Sequence, residues 1–283
     1  MMCCFSNAAF TFISGVLIFA LSVPLKAQTV KQPLSVNYTS LGAYSKNFSD
    51  IFSATVNQAS LANLKTNAFA VYGEKRFMLN DLNLFSGIVA TTTSSGTFGF
   101  QADYAGGALF NESVLGLIYA RKVTQEIEVG AKFNYNGIKV AGYGSSSAIN
   151  FETGAIFHLT EKLSSGVHMY NPGGTRIGKS GLEKLGSIYR FGLGYEASEK
   201  LFIGTEIVKH EGLPIGATVG LQYNLHHRVF IRSGLSTANN CSYACIGIKT
   251  DFGRIDLNTS YHNQLGFTPA ILLLIDFKKP EKE

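Results

Sequence analysis

S-I-Y-R-F-G-L-G-Y-E-A-S-E-K-L-F-I-G-T-E-I-V-K, at residues 187–209, has the pattern of a β-hairpin. Apolar side chains alternate with arginine, glycine or glutamate along both arms, which is the period of two of a β-strand. A short polar turn at residues 197–200 separates the arms. In a soluble sheet, the solvent-exposed face opposite the core would carry lysine, glutamate and threonine. Here that face is mostly glycine with an occasional charged residue. One apolar face and one crowded, partly polar face are typical of a transmembrane β-barrel.

The composition of the whole chain supports a membrane barrel. Charged residues make up 15 % of the 283 residues, against about 25 % in an average soluble domain. After residue 27 the sequence has no apolar run of the roughly 20 residues that a membrane-spanning helix needs, so its apolar residues must alternate along strands. The net charge of +5 is scattered and gives no footprint for a nucleic-acid partner.

The first 27 residues resemble a secretory signal peptide. Residues 5–23 are apolar and small, Pro24 ends the run, and Ala27 offers a small residue for cleavage. No lysine or arginine precedes the run, and it is long enough that a membrane anchor remains the alternative. We expect the mature protein to begin at Gln28. N-terminal sequencing that finds Met1 retained in the envelope fraction would contradict this.

Regular alternation begins at Asn67 and predicts an all-β protein, an antiparallel barrel of fourteen strands in the outer membrane of a Gram-negative bacterium. The predicted strands are residues 67–76, 82–91, 96–105, 113–121, 125–135, 147–158, 163–170, 187–197, 201–209, 215–225, 229–235, 242–250, 254–263 and 268–278.

The chain is therefore expected to have four parts. These are a signal peptide (1–27), a periplasmic or plug-like segment (28–66), the barrel (67–278) and a charged tail (279–283). Residues 48–62 are weakly amphipathic at helical spacing, which predicts a short helix outside the barrel or in its mouth.

The predicted connections follow the rule for outer-membrane barrels. Turns after even strands are short, while the two long connections, at residues 136–146 and 171–186, both follow odd strands. A soluble β-sandwich or a propeller shares many short strands but has no such rule. The last strand ends on Phe277, close to the C-terminus, as barrel strands commonly do.

Several short motifs resemble the PorV/PorQ family. Residues 42–62 contain Gly-Ala followed by N-Q-A-S-L-A, similar to an N-P-A-x-L-A opening, and further similarity lies at residues 169–174, 189–195, 232–236 and 261–270. The resemblance implies a FadL-like barrel. Its relatives either take up hydrophobic molecules or act in type IX protein secretion. Gln58 replaces the usual proline of the motif, and the chain is short for the large outer loops of PorV.

Charges of both signs fall on the predicted lumen face of neighbouring strands. The favoured interpretation is that they pair and brace a filled barrel, and the alternative is the polar lining of a pore. Arg190 is expected to stand opposite Glu206 or diagonal to it. The predicted lumen residues are Glu128, Lys132, Glu152, Arg190, Glu196, Glu206, Arg232 and Asp256.

No motif for a nucleophile, a phosphate loop, a cofactor or a metal knuckle occurs, so the sequence predicts a non-enzymatic protein without cofactors. Cys241 and Cys245 are expected to be two thiols that are not bonded to each other, with a disulfide as the alternative. The adjacent His226 and His227 fall in a polar turn and are expected to be solvated rather than to bind a metal.

Two functions follow from the sequence. The first is a subunit of a type IX secretion or surface-attachment assembly that binds protein partners, and the alternative is a FadL-like channel for small hydrophobic ligands; lipid surrounds the barrel in both. The longest outer connection is the candidate partner loop, unless it folds inward as a lid. The predicted partner-loop residues are Asn171, Pro172, Gly173, Gly174, Arg176, Ile177, Lys179, Leu182, Lys184 and Leu185.

Overall fold

The computed structural model describes residues 40–178, 183–238 and 240–277. It contains a closed antiparallel barrel of fourteen strands, which confirms the predicted fold class. The predicted signal peptide, the start of the 28–66 segment and the charged tail lie outside the described residues. No helix in the described part of the chain is long and apolar enough to cross a membrane.

Sixteen strands are numbered in chain order, and all but β8 and β9 belong to the barrel. Their bounds are β1 Asn67–Lys75, β2 Asn83–Thr93, β3 Gly96–Gly106, β4 Phe110–Lys122, β5 Ile127–Val140, β6 Gly144–His158, β7 Leu163–Tyr170, β8 Arg176–Ile177, β9 Glu183–Lys184, β10 Ile188–Glu196, β11 Leu201–His210, β12 Ile215–Asn224, β13 Val229–Ser236, β14 Cys241–Lys249, β15 Gly253–His262 and β16 Gly266–Phe277.

The barrel closes by pairing β1 with β16, from Asn67 opposite Phe277 to Glu74 opposite Ala270. Closure is required because unpaired backbone groups cannot be left in lipid. Asn67 and Phe277 meet at one end of the barrel, and the longest connection, residues 171–187, lies at the other. By the rule for these barrels, the first is the periplasmic end and the second is the outer end.

One predicted outer loop is wrong. Residues 136–146 were expected to be a long connection, but β5 continues to Val140 and β6 begins at Gly144, so the turn is only residues 141–143. Gly142 and Gly144 have φ of 79° and 99°, and these positive angles make the reversal. Asn136 and Gly137 had the composition of a turn, yet Asn136 points into the lumen and donates to Asn150 Oδ1 at 2.9 Å.

Alternation along the strands separates an apolar outer surface from the lumen. In β12 exposed and buried residues alternate without interruption from Ile215 to Tyr223. Leu117 and Phe133 are about two-thirds exposed on the lipid side. Tyrosines on the same outer surface, which form the interfacial belt in the absence of tryptophan, are also exposed. They include Tyr135, Tyr189, Tyr195, Tyr223 and Tyr261.

The segment at residues 40–66, called the plug below, lies inside the barrel. It forms three short 3-10 helices, Ser40–Tyr44, Ile51–Thr55 and Gln58–Asn63. Asp50 caps the second helix by accepting from the Ser53 backbone N–H at 3.0 Å. The sequence placed a short helix outside the barrel or in its mouth, whereas every residue of the Ile51–Thr55 helix is buried within the lumen.

Candidate functional site: the plugged lumen

All eight charged residues predicted for the lumen face point into the barrel and are buried. The most exposed of them, Glu196, is 7 % exposed. Arg190 Nη1 lies 2.7 Å from Glu206 Oε1, and because Glu206 is opposite Gly192 in the register, the two charges are diagonal neighbours. Both signs are therefore present, but most of the charges also contact the plug or one another.

Tyr44 is a fully buried contact between the plug and the wall. Its hydroxyl donates to Glu206 Oε2 at 2.8 Å, so Glu206 binds Arg190 and the plug together. The Tyr44 ring lies against two glycines: a Cβ added to Gly192 would be 2.0 Å from the ring, and one added to Gly166 would be 2.6 Å from it. The ring fits only because both wall positions lack side chains.

Glu196 holds the next turn of the plug at the periplasmic end of β10. Its Oε1 accepts from the Ser45 hydroxyl at 2.7 Å and from the Lys46 backbone N–H at 2.8 Å. Its Oε2 accepts from Asn47 Nδ2 at 2.6 Å. A single carboxylate thus satisfies donors from three consecutive plug residues.

A network of four charges fixes the plug to β13 and β15. Arg254 Nη2 lies 2.7 Å from Asp50 Oδ2, and Arg254 Nε lies 2.8 Å from Asp256 Oδ1. Arg232 Nη1 approaches Asp256 Oδ2 at 3.3 Å. Both guanidinium groups also stack over the Phe230 ring, at 4.7 Å and 5.3 Å from its centroid. The buried charges are paired, which is the condition under which they are tolerated.

A second polar network joins the plug to β5, β6 and β7. Gln58 Nε2 donates to Glu152 Oε2 and lies 3.2 Å from His168 Nε2. Glu152 also contacts Lys132 Nζ at 3.4 Å and accepts from Asn134 Nδ2 at 2.7 Å. Gln58, which takes the place of the proline in the motif, thereby gains a side-chain contact with the wall.

An apolar cluster joins the plug to the part of the lumen formed by β16 and β1–β4. The Phe52 ring packs against Tyr72 with centroids 5.2 Å apart, and Ile51, Val56 and Leu61 belong to the same buried cluster. The wall residues of this cluster lie on β1, β2, β3, β4 and β16, and this set is called the apolar wall below. They are Ala68, Ala70, Tyr72, Leu84, Ile88, Ala90, Ala105, Ile118, Ala120, Leu272 and Leu274.

Lumen glycines form the bed on which the plug lies. An added Cβ at Gly130 would lie 2.6 Å from the plug backbone, which is closer than real Cβ contacts allow. Seven further lumen glycines on six strands also face plug atoms at short range. They are Gly99, Gly154, Gly166, Gly192, Gly194, Gly204 and Gly220. The glycine-rich lumen face seen in the sequence is thus explained by the plug.

Little space remains around these contacts. A small cavity with about 230 Å³ of empty space, open solvent included, lies beside Leu41 and Gly42 of the plug. Arg232, Gln222 and Tyr243 line its other side. Because that figure counts open solvent, the enclosed space is far smaller than the ~300–1,000 Å³ of a usual small-ligand pocket. Among the described residues, no group of three or more His, Cys, Asp or Glu side chains could hold a metal ion.

The described parts of the predicted partner loop, residues 171–178 and 183–187, lie at the outer end of the barrel. Ile177 is 3 % exposed and Leu185 is 1 % exposed, so these two apolar residues are buried rather than presented to a partner. Asn171, at φ 50°, accepts from the Thr175 backbone N–H and donates to the Leu185 carbonyl, which ties both ends of the loop together. Lys179 and Leu182 lie outside the described residues. Pro172, Gly173, Gly174 and Arg176 lie on the described first part of the loop, at least partly exposed.

A surface contact also holds this loop in place. Lys184 Nζ lies 2.5 Å from Glu211 Oε1, and the Ser187 backbone N–H donates to Glu211 Oε2 at 3.1 Å. The hydrogen bond from Lys184, followed by that from Ser187, lowers the pKa of the Glu211 carboxyl. Glu211 is exposed in the turn between β11 and β12, so the contribution of this pair to stability is small.

The cysteines and adjacent histidines singled out in the sequence lie on the lumen face of β14 and in a turn. Cys241 and Cys245 are free thiols buried on the lumen face of β14. His226 and His227 lie in an exposed periplasmic turn, with ring centroids 3.8 Å apart and ring planes tilted by 48°.

Several residues of the plug contacts were not among the sequence candidates, including Tyr44, Asp50, His168 and Arg254. Face parity could have found two of them, because Arg254 is two residues before Asp256 on one strand and His168 is two residues after Gly166 on another. No local pattern pointed to Tyr44 or Asp50. Their partners lie more than 140 residues away in the chain.

Comparison with known proteins gives matches to solved structures only. No family model and no curated protein matches the sequence. The Pseudomonas putida toluene transporter TodX is 10 % identical with a TM-score of 0.61, and the alignment covers 81 % of this chain and 95 % of that one. The Ralstonia pickettii toluene transporter TbuX is 10 % identical with a TM-score of 0.58, and the alignment covers 81 % of this chain and 94 % of that one. A Pseudomonas aeruginosa FadL homologue is 11 % identical with a TM-score of 0.60, and the alignment covers 84 % of this chain and 96 % of that one.

At these identities the likeness concerns the fold. The sequence resemblance to PorV/PorQ finds no support in a family match, while the expected FadL-like architecture does find structural neighbours. The chain is a fourteen-stranded β-barrel of the Gram-negative outer membrane, with the fold of FadL-type transporters and a plug in its lumen.

Proposed function

We propose that the protein is a non-enzymatic outer-membrane conduit for small hydrophobic molecules and that the plug gates it. The observation that carries the proposal is the apolar wall. Tyr72, Leu84, Ile88 and Leu272 line one side of the lumen, and the apolar plug residues cover them. Displacing Phe52 and its neighbours would uncover this largely apolar wall, which Ser86 interrupts on β2 between Leu84 and Ile88, and such a surface suits an uncharged ligand.

The filled interior argues against a permanently open pore. The plug contacts the wall through Tyr44, Asp50 and Gln58 on three different sides. A solute can pass only when some of these contacts break. Structural neighbours named as toluene transporters support an apolar substrate, and the small size of the remaining cavity supports a closed resting state.

A cross-link between plug and wall tests the gate. We expect that joining Asn57→Cys to Gly154→Cys by a disulfide stops uptake of an uncharged fluorescent naphthylamine into proteoliposomes, because the plug can then no longer move. A Cβ built on Gly154 lies 3.0 Å from Asn57 Cγ. The two Cβ atoms are therefore at most about 4.5 Å apart, within the range of a disulfide.

The cross-link experiment carries its own controls. Cys241 and Cys245 are replaced by alanine throughout, so that the new cysteines have no other partner. Reduction should restore uptake, and the single Asn57→Cys variant should be insensitive to oxidation. Uptake that continues with the disulfide fully formed would rule out a route that needs plug movement at β6.

The second candidate function is a role in protein secretion, which the short sequence motifs support. It predicts that a specific protein partner co-purifies from detergent-solubilised membranes and is lost when residues 177–185 are shortened to a Gly-Ser link. Retained partners together with altered uptake of the hydrophobic probe would favour the conduit.

A further inference from the structure

The turn between β1 and β2, residues 76–82, closes over the outer end of the apolar wall. Arg76 turns back into the lumen, where its Nε lies 2.7 Å from Glu74 Oε1, and both residues are almost fully buried. Glu74 also accepts a hydrogen bond from the Tyr72 hydroxyl. The ring of Tyr72 then packs on Phe52 of the plug at 5.2 Å. Alternate residues of one strand thus connect the outer turn to the plug.

The backbone of this turn is strained. Phe77 and Met78 have φ of 52° and 61°, the left-handed region that residues with a Cβ rarely occupy, and they are consecutive. Two contacts of Phe77 hold it there: its N–H donates to Thr268 Oγ1 at 3.0 Å, and its ring meets the edge of His262 at 5.9 Å.

Two apolar side chains at the tip of the same turn are exposed, next to the exposed Asn80 and Asp81. Met78 is 58 % exposed and Leu79 is 54 % exposed. Directly beneath, Leu84 faces Glu74 across the β1–β2 pair and Leu272 faces Tyr72 across the β1–β16 pair, and both leucines belong to the apolar wall. Along this line the Arg76–Glu74 pair is the polar layer between an exposed apolar tip and the buried apolar wall.

We propose that this turn is the outer entry site for an uncharged, apolar small molecule. Met78 and Leu79 make the first contact, and the Arg76–Glu74 pair is the barrier that must move aside. The inference rests on the proposed conduit function and adds to it the place of entry and the exclusion of charged solutes, which the buried ion pair would disfavour.

A double substitution tests the first contact. In Met78→Asn/Leu79→Ser the apolar tip is lost, while asparagine still tolerates positive φ, so the turn keeps its backbone. We expect the probe concentration at half-maximal uptake to rise about five- to tenfold, because apolar contacts with the ligand are lost. The maximal rate should stay unchanged, since the barrier and the plug are intact.

Leu109→Ser is the matched control, because Leu109 is 75 % exposed at the tip of another outer turn, between β3 and β4. This substitution should leave the half-maximal probe concentration and the maximal uptake rate unchanged. The barrier is tested separately with Glu74→Gln/Arg76→Gln, which removes the charges but keeps hydrogen-bonding groups, and which should raise the maximal rate. Heat-dependent gel mobility shows that each variant has formed the barrel.

The outcomes separate this inference from the conduit itself. An unchanged half-maximal concentration in Met78→Asn/Leu79→Ser, with uptake still blocked by the cross-link between positions 57 and 154, overturns the entry site and leaves the conduit standing. An equal rise in the Leu109→Ser control also overturns it. Uptake that does not depend on the protein at all overturns both.

Discussion

Replacement of Gly192 by alanine is expected to dislodge the plug from an otherwise intact barrel. The added Cβ would lie 2.0 Å from Tyr44 Cε2, and Gly166 confines the same ring from another wall position. Overpacking of this kind costs about 1–3 kcal/mol, and more where neighbours cannot move. Tyr44 is fully buried, so it can relieve the clash only by leaving its site and giving up the hydrogen bond to Glu206.

Two measurements report this displacement. Trypsin should cleave after Lys46 of the plug much faster than in the unmodified protein, and planar bilayers should show conductance that the unmodified protein lacks. Gly87→Ala is the matched control: Gly87 faces outward on β2, and its added Cβ would meet no atom within 4 Å. If the Gly192→Ala barrel shows no conductance and resists trypsin, Tyr44 does not hold the plug in place.

The barrel could be predicted from the sequence because contact with lipid requires an apolar residue at every second position of each strand. Along the hairpin of β10 and β11, every second residue must satisfy hydrocarbon, so the period of two is visible without knowledge of the fold. The turn between β5 and β6 was misplaced since Asn136 and Gly137 have the composition of a turn. In a lumen wall, however, an asparagine that finds a partner such as Asn150 is an ordinary strand residue.

Of the residues that form the plug contacts, only those on the barrel wall could be predicted from the sequence. Face parity put Glu152, Glu206 and Asp256 in the lumen, and the glycines beside them indicated a narrow interior. What fills that interior is a segment whose short 3-10 helices have almost no periodic signal. Tyr44 matches Gly166, Gly192 and Glu206 by shape and by a single hydroxyl, and such matches between distant parts of the chain leave no local pattern.

Arg254→Met is expected to be the most destabilising single substitution of the plug contacts. Arg254 bonds Asp50 at 2.7 Å and Asp256 at 2.8 Å, and the Asp256 side chain is fully buried. Removal of one partner from a buried ion pair typically costs ~3–5 kcal/mol, because an uncompensated charge stays in the interior. Arg232 can still neutralise Asp256 at 3.3 Å, but it lies 3.9 Å from Asp50, so Asp50 loses its close partner.

A second substitution shows where that loss originates. In Asp50→Asn/Arg254→Met the uncompensated charge is gone and Arg232 still pairs with Asp256, so most of the heat resistance on gels and the resistance of Lys46 to trypsin should return. Arg228→Met is the surface control: it breaks an exposed pair with Asp251 at 3.5 Å and should cost less than about 1 kcal/mol. If the double variant is as weak as Arg254→Met alone, Asp50 does not anchor the plug. The stability of the barrel would then depend on Arg254 through Asp256, within the wall itself.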